Sequence, residues 1–339
     1  MSSTLRRPSP PNVRAMKILL IQTAFIGDVI LATPLVEKLR RFYPDARIDV
    51  MLRKGNEGLL AGHPHVGKLW IWDKKGGKYR HLLALLRGVR RERYSVVVNL
   101  QRFAATGLLS VLAGAGSVVG FSKNPLSLFY GRRVAHELGS GLHEVQRNLR
   151  LIAHLTDGAF ERPKLYPQPA DFARVEPLKG KPYVTISPAS VWFTKQLPPE
   201  KWAAVIALTG EDKAVYLLGG QDDALLCEQL AQASGGRAVS LAGQLRFLQS
   251  AALMRDADMN YVNDSAPMHL ASAMNAPTTA VFCSTVPAFG FGPLAQVARV
   301  VEATPSPACR PCGLHGYKAC PKGHFRCAHE IPTAAIVKN

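Results

Sequence analysis

The chain has 339 residues, 47% of them hydrophobic and 19% charged, which suits two domains of ordinary size with a core in each. No apolar run approaches the roughly 20 residues of a spanning helix, and no long segment is low in complexity, so the composition excludes a helical membrane protein and a disordered chain. The formal net charge of +18 is one-sided: residues 1–165 hold 27 Lys+Arg against 11 Asp+Glu, and the remainder 15 against 13. That asymmetry predicts an anionic partner for the first half, whether nucleic acid, an acidic membrane surface or a charged acceptor, unless it serves solubility alone.

Residues 1–15 are polar, basic and proline-rich and lack the apolar stretch of a secretory signal. They predict a disordered leader on a cytoplasmic protein. Residues 16–22 (MKILLIQ) read as a buried parallel strand, followed by a compact turn at 23–28. Apolar residues at helical spacing (Ile30, Leu31, Leu35, Leu39) predict one helix over 29–43. Strands are expected at 48–52, 68–72 and 95–100, with a basic helix at 82–93. Prolines at 163, 167 and 169 interrupt the pattern and mark a boundary.

The alternation then restarts, with strands at 183–187, 214–218, 259–262 and 278–282 and helices at 199–209, 222–233 and 266–274. Strand–helix alternation argues for α/β architecture with parallel sheets covered on both faces. The expected organisation is a basic Rossmann-like domain over 16–165 and a second over 170–339, facing each other across a cleft. Ligands of such sheets lie beyond the carboxyl ends of the strands. The loops that matter are therefore 23–28, 99–102, 187–196, 219–223 and 263–269.

Gly27-Asp28 falls where a strand end meets a helix start. The carboxylate there either caps the helix or serves as a base at the cleft mouth. No G-x-G-x-x-G follows this strand, which argues against a dinucleotide oxidoreductase. Gly219-Gly220-Gln221-Asp222 opens a helix, either as an ordinary turn or with its acid on ribose hydroxyls. Asn263 to His269 (NDSAPMH) puts Asp264, Ser265 and free N–H groups at a helix start, an anion site; His269 is open to a structural or a functional reading. Ser190 and Lys195 share the loop after 183–187, where a lysine could neutralise a diphosphate.

The segments MKILLIQTAFIGDVILATP, VVNLQRF with GAGSVVGFS, SPASVWFTKQLP, LLGGQDD and NDSAPMHLASAMNAPTTAVF resemble glycosyltransferase family 9, the ADP-heptose:lipopolysaccharide heptosyltransferases, over roughly residues 16–332. The resemblance implies the GT-B architecture and a metal-independent, inverting transfer with no catalytic cofactor. By position it implies Asp28 as general base and Lys195, aided by Ser190, stabilising the leaving diphosphate. Gly219, Gly220, Asp222, Asp264, Ser265, Ala266 and His269 would hold the nucleotide sugar, although Ala266 and Ser265 stand where the family commonly has Gly and Thr. An anionic lipopolysaccharide-core acceptor would face Thr23, Gly27, Arg102, Lys123, Arg132, Arg133 and Arg147. The enzyme would then sit peripherally at the inner face of the inner membrane, with no nucleic acid as partner. A family member using another ADP-sugar or acceptor is the alternative.

Four of the six cysteines fall close together, Cys309-x2-Cys312-x7-Cys320-x6-Cys327. In a cytosolic chain, clustered thiols point to metal before disulfide, and four thiolates suit structural zinc. The spacing is not that of a standard ribbon or finger, so reduced thiols and disulfides stay open. The tail is remote from Asp28 in sequence and a structural role is expected. Cys227 and Cys283 lie in apolar surroundings and read as core. The cluster and the charge together raise a rival reading, a nucleic-acid-binding protein with a zinc module. Only Tyr317 and Phe325 supply aromatics near the cluster, and most of the charge lies in the other half.

Overall fold

The computed structural model describes residues 16–74 and 78–338; the leader expected at 1–15 lies outside them. The first sheet comprises β1 (Lys17–Ile21), β2 (Arg47–Arg53), β3 (Lys68–Trp72), β4 (Val96–Asn99), β5 (Ser117–Phe121) and β6 (Arg132–Val134), in the order β3-β2-β1-β4-β5-β6. The second comprises β7 (Tyr183–Ser187), β8 (Ala214–Leu217), β9 (Ala238–Ser240), β10 (Met259–Asn263), β11 (Thr278–Phe282) and β12 (Ala298–Glu302), in the order β12-β11-β10-β7-β8-β9. All pairings are parallel. Counted within its own domain, each sheet has the same winding, with the strand order reversing between β1 and β4 and between β7 and β10. Those two switch points are where such sheets bind ligands.

Helices α1 (Ile26–Ile30), α2 (Thr33–Phe42), α3 (Lys78–Glu92), α4 (Ala104–Leu112) and α5 (Glu144–Leu149) belong to the first half. Helix α6 (Pro169–Val175) follows a stretch without regular structure over 159–168. The second half carries α7 (Pro199–Leu208), α8 (Ala224–Ala233), α9 (Phe247–Arg255), α10 (Ala266–Ala273), α11 (Arg326–His329) and α12 (Thr333–Val337). The single helix expected over 29–43 is two. Pro34 has no N–H to give Ile30, and the Thr33 hydroxyl donates to the Ile30 carbonyl instead, at 2.8 Å.

One apolar core runs through both domains, joining Ile18, Leu20, Val29 and Ile30 to Val262, Met268 and Ala271. The polar half of the joint is a clasp. Before and within α5, His143 Nε2 donates to Gly292 O (3.0 Å), Glu144 N–H to Gly290 O (2.7 Å) and Arg147 Nη2 to Phe289 O (2.8 Å). Gly290 sits at φ +89°, and a Cβ there would overlap Leu142 O and the Arg147 guanidinium, so only glycine fits. Cys227 and Cys283 are buried in the core of the second domain. Among the described residues no helix is long and apolar enough to cross a membrane.

Candidate active site

On the first domain, β1 ends at Ile21 and the chain turns into α1, bringing Asp28 to the cleft. Asp28 caps this short helix, its Oδ2 accepting from Phe25 N–H at 3.1 Å. It also does what a cap does not require. Burial, and then the nearby negative charge of Glu144, push its pKa up to about 6, against the pull of the Phe25 and Asp28 N–H groups and of Arg53. A carboxyl tuned toward neutrality can hold and release a proton in the working range of an enzyme. The two readings of Asp28 are therefore compatible in one side chain.

Facing it, β7 and β10 deliver the second domain's loops. Lys195 Nζ pairs with Asp264 Oδ2 at 2.7 Å, and the Thr285 hydroxyl donates to the same oxygen at 2.5 Å. Asn263 is fully buried and ties the 188–197 loop to the end of β10. Its Nδ2 donates to Pro188 O (2.7 Å), and its Oδ1 accepts from Leu197 N–H (3.0 Å). Ser265 is the N-cap of α10 in extended conformation, and Ala266 opens the helix with Pro267 behind it. The start of α10 has no side-chain cap, an arrangement that favours an anion at a helix N-terminus.

His269 is the hinge of the two halves of the site. A Cβ on Gly27 would lie 2.9 Å from the His269 ring, so α1 and α10 approach closely only because residue 27 has no side chain. Burial, with His143 and Lys195 nearby, holds the His269 pKa down at about 3. The ring is therefore neutral, and its buried Nδ1 has no hydrogen-bond partner, an unusual cost for a buried polar atom.

The remaining expected residues divide. Asp222 is exposed, whereas its neighbour Asp223 caps the turn by accepting from Gly220 N–H (2.8 Å). Gly219 packs where a Cβ would lie 2.7 Å from Asp223 Cβ. Ser190 is half-buried at the start of the Lys195 loop. Lys123, its pKa lowered mainly by burial, feels the charges of Glu144, Arg102, Arg147 and Asp28, so it belongs to the neighbourhood of Asp28. Arg102 is exposed beside the Phe103 ring, and Arg132 and Arg133 are exposed on edge strand β6. Two residues depart from the expectation of an acceptor contact. Arg147 is fully buried and committed to Glu144 (2.7 Å), Leu142 O and Phe289 O. Thr23 is buried, with both its oxygens accepting from Lys74.

The cysteine tail is not remote from the site in space. Residues 312–317 run beside the Lys195 turn, with Tyr317 N–H donating to Thr194 Oγ1 (2.8 Å) and Thr194 N–H to Tyr317 O (3.1 Å). His315 is placed so that Lys195, Arg102 and Asp264 all act on its charge, and burial lowers its pKa. All six cysteines are free. Burial, then Cys312, Cys320 and Cys309, raise Cys327 to about 11, so the four tail thiols are neighbours. Among the described residues no three His, Cys, Asp or Glu side chains converge as a metal-holding set.

Asn263 and Thr194 lie in loops that the sequence marks but were given no role of their own there, and neither were Thr285, Glu144 and His315. Asn263 carried the clearest signal, as the residue ending a strand at a switch point.

Two parallel six-stranded sheets of this winding define the GT-B class of fold. The profile of glycosyltransferase family 9 (heptosyltransferase) matches residues 82–313, and the chain belongs to that family. A curated relative, lipopolysaccharide heptosyltransferase 3 of Escherichia coli, is 29% identical over 277 residues, spanning 77% of this chain and 82% of its own. The glycosyl transferase family 9 structure from Veillonella parvula DSM 2008 superposes with a TM-score of 0.77 at 22% identity, covering 86% of each chain. The structure of E. coli ADP-heptose lipopolysaccharide heptosyltransferase II gives 0.75 at 21% identity, covering 92% of this chain and 97% of its own.

Proposed function

We propose that this enzyme is an inverting, metal-independent transferase that moves a heptose from ADP-heptose to the inner core of a lipopolysaccharide, Kdo-lipid A or its heptosylated form. The observation that carries the reading is Asp28, a half-buried carboxyl with its pKa pushed up to about 6, next to Gly27, which packs against His269 of α10. Asp28 takes the proton of the acceptor hydroxyl as that oxygen attacks the anomeric carbon from the face opposite the diphosphate. The bond to the diphosphate breaks, and ADP leaves with the electron pair, its new charge met by Lys195 and the α10 N–H groups. Asp222, exposed and without an internal partner among the described residues, is the candidate for the ribose. Lys123 and Arg102 stand beside the base, where an anionic acceptor would be drawn in.

The acceptor is expected at a membrane surface, and the first domain offers a face for it. Residues 78–133 contain ten Lys/Arg and one acid, Glu92. Glu92 is held by Lys17, Arg47 and Lys68, with its pKa down at about 2. The outer sides of α3 and α4 and the following turn expose Leu83, Phe103, Leu108, Leu112, Leu128 and Phe129, the last two at 76% and 68%. Exposed apolar groups within a stretch of such positive excess would suit an anionic bilayer. Sedimentation with phosphatidylglycerol vesicles at low and high salt tests this, and absence of binding at both rejects it.

The decisive experiment measures ADP release from ADP-heptose with and without Kdo-lipid A or its monoheptosylated form, for wild type and Asp28→Ala. Acceptor-dependent release that disappears in the variant supports the reaction and the base. Undiminished release in the variant rejects Asp28, and wild-type enzyme that binds no ADP rejects the donor site.

A further inference from the structure

The cysteine-rich tail packs against the Lys195 turn and against residues 284–285, whose Thr285 bonds Asp264. On the lysine side, Thr194 is buried at 1% exposure and bonded both ways to Tyr317. Gly316 (φ +75°) lies so close that a Cβ there would be 2.9 Å from Thr194 Oγ1 and 3.2 Å from Lys195 Cγ. On the aspartate side, Cys312 N–H donates to Ser284 O (2.9 Å). Ser284 in turn donates through its hydroxyl to Thr194 Oγ1 (3.0 Å) and through its N–H to Thr194 O (3.2 Å). Arg310, almost fully buried, donates to the carbonyls of Phe282 (3.2 Å) and Thr285 (2.5 Å) and pairs with Glu302. Thr285 is the residue whose hydroxyl bonds Asp264.

A short turn carrying a cation at a cleft has few ways to stay in place by itself. The turn closes on itself through Lys195 N–H to Trp192 O at 3.0 Å and Gln196 N–H to Phe193 O at 2.9 Å, and Asn263 anchors its two ends at Pro188 and Leu197. Its hydrogen bonds to Tyr317 of the tail and to Ser284 are made by Thr194. We propose that residues 310–317 form a positioning strap of the donor site, acting through the Thr194 hydroxyl to fix where Lys195 meets the donor diphosphate. Thr194 is a positioning residue: it touches no ligand and acts through Lys195. The inference rests on the reading of Lys195 as the diphosphate's counter-charge, but it concerns a segment which that reading does not use.

The test compares Thr194→Val, which removes the hydroxyl at nearly constant volume, with Thr194→Ser, which keeps it. Three readouts are taken on the full chain: kcat and KM with ADP-heptose and the core acceptor, ADP affinity by calorimetry, and Tm. Thr194→Val is expected to lower kcat by about tenfold to a hundredfold, as misplaced catalytic groups do, and to weaken ADP, while Thr194→Ser stays near wild type in both. Wild-type kcat in Thr194→Val overturns the strap. So do equal losses in both variants that follow Tm, since these describe a structural residue only. If wild type turns over no core acceptor, the proposed reaction falls and ADP affinity alone decides. Weaker ADP in Thr194→Val than in Thr194→Ser upholds the strap, and equal affinity overturns it.

Discussion

Lys195 and Asp264 meet at 2.7 Å, one from the loop after β7 and the other from the end of β10. Each is largely shielded, with 15% and 7% of its side chain exposed, so the ammonium is already desolvated and aimed into the cleft before any anion arrives. An anionic diphosphate would share this cation with Asp264. Preorganised charge of this kind acts strongly because little reorganisation remains to be done in the transition state.

Lys195→Ala removes that charge and leaves Asp264 with Thr285 alone. The expected loss in kcat is about 100-fold to 1,000-fold, the range for removal of one group that stabilises developing negative charge. Lys195→Arg should recover part of it. Steady-state kinetics at saturating ADP-heptose checks both.

The base predicts a pH dependence. Asp28 must be ionised to accept a proton, so kcat/KM should rise with pH and level off above about 6. Glu144 and burial set this limb high, while Arg53 and the N–H groups at Phe25 and Asp28 oppose them; Lys123 stands nearby as a further cation. Removing the repulsion in Glu144→Gln should move the limb to lower pH.

The same shift has a stability consequence. The folded protein binds the Asp28 proton more tightly than the unfolded chain, so stability is lost as pH rises from the unfolded value near 3.8 through about 6. By linkage the ionised carboxylate costs the fold on the order of 3 kcal/mol at pH 7. Asp28→Asn should abolish transfer and raise Tm at pH 7 but not at pH 4, a pattern read by thermal melts at the two pH values.

The clasp at α5 is expected to behave as a buried ion pair. Arg147→Ala leaves Glu144 partly unpaired and two carbonyls without donors, a loss of about 3–5 kcal/mol. Denaturant unfolding measures it, and a change under 1 kcal/mol would show that the clasp does not hold the domains together.

Gly27→Ala places a methyl against a buried histidine ring, a clash worth about 1–3 kcal/mol for overpacking. The double variant Gly27→Ala with His269→Ala should recover the stability lost by the single change. Chemical denaturation of the four proteins forms the cycle.

Zinc in the tail can be settled by elemental analysis of protein prepared without chelator. Zinc held by the four thiols is expected to appear as about one metal per chain and to be lost in Cys309→Ser with Cys312→Ser. No zinc in wild type would leave reduced thiols or disulfides, which thiol titration with and without reductant tells apart.

Much of the architecture was legible from local chemistry. The apolar runs at 16–22 and 183–187 could be little else than buried parallel strands, and loops rich in Gly, Asp and Ser after strands marked the ligand ends. Four strands escaped: the three residues of β6 and of β9 are too few for a period and become strands only by pairing with β5 and β8, and the five-residue β5 and β12 were not picked out either. Residue types and their place along the chain singled out Asp28, Lys195 and Asp264. Only the folded chain decided that Lys195 pairs with Asp264, that Gly27 makes room for His269, and that Arg147 turns inward as a clasp. Those relationships join residues tens to more than two hundred positions apart. They depend on burial and on the reversal of strand order at two switch points, which no local pattern encodes. The tail shows the division most clearly, since its thiols were plain in the sequence while its hold on Thr194 belongs to the tertiary structure alone.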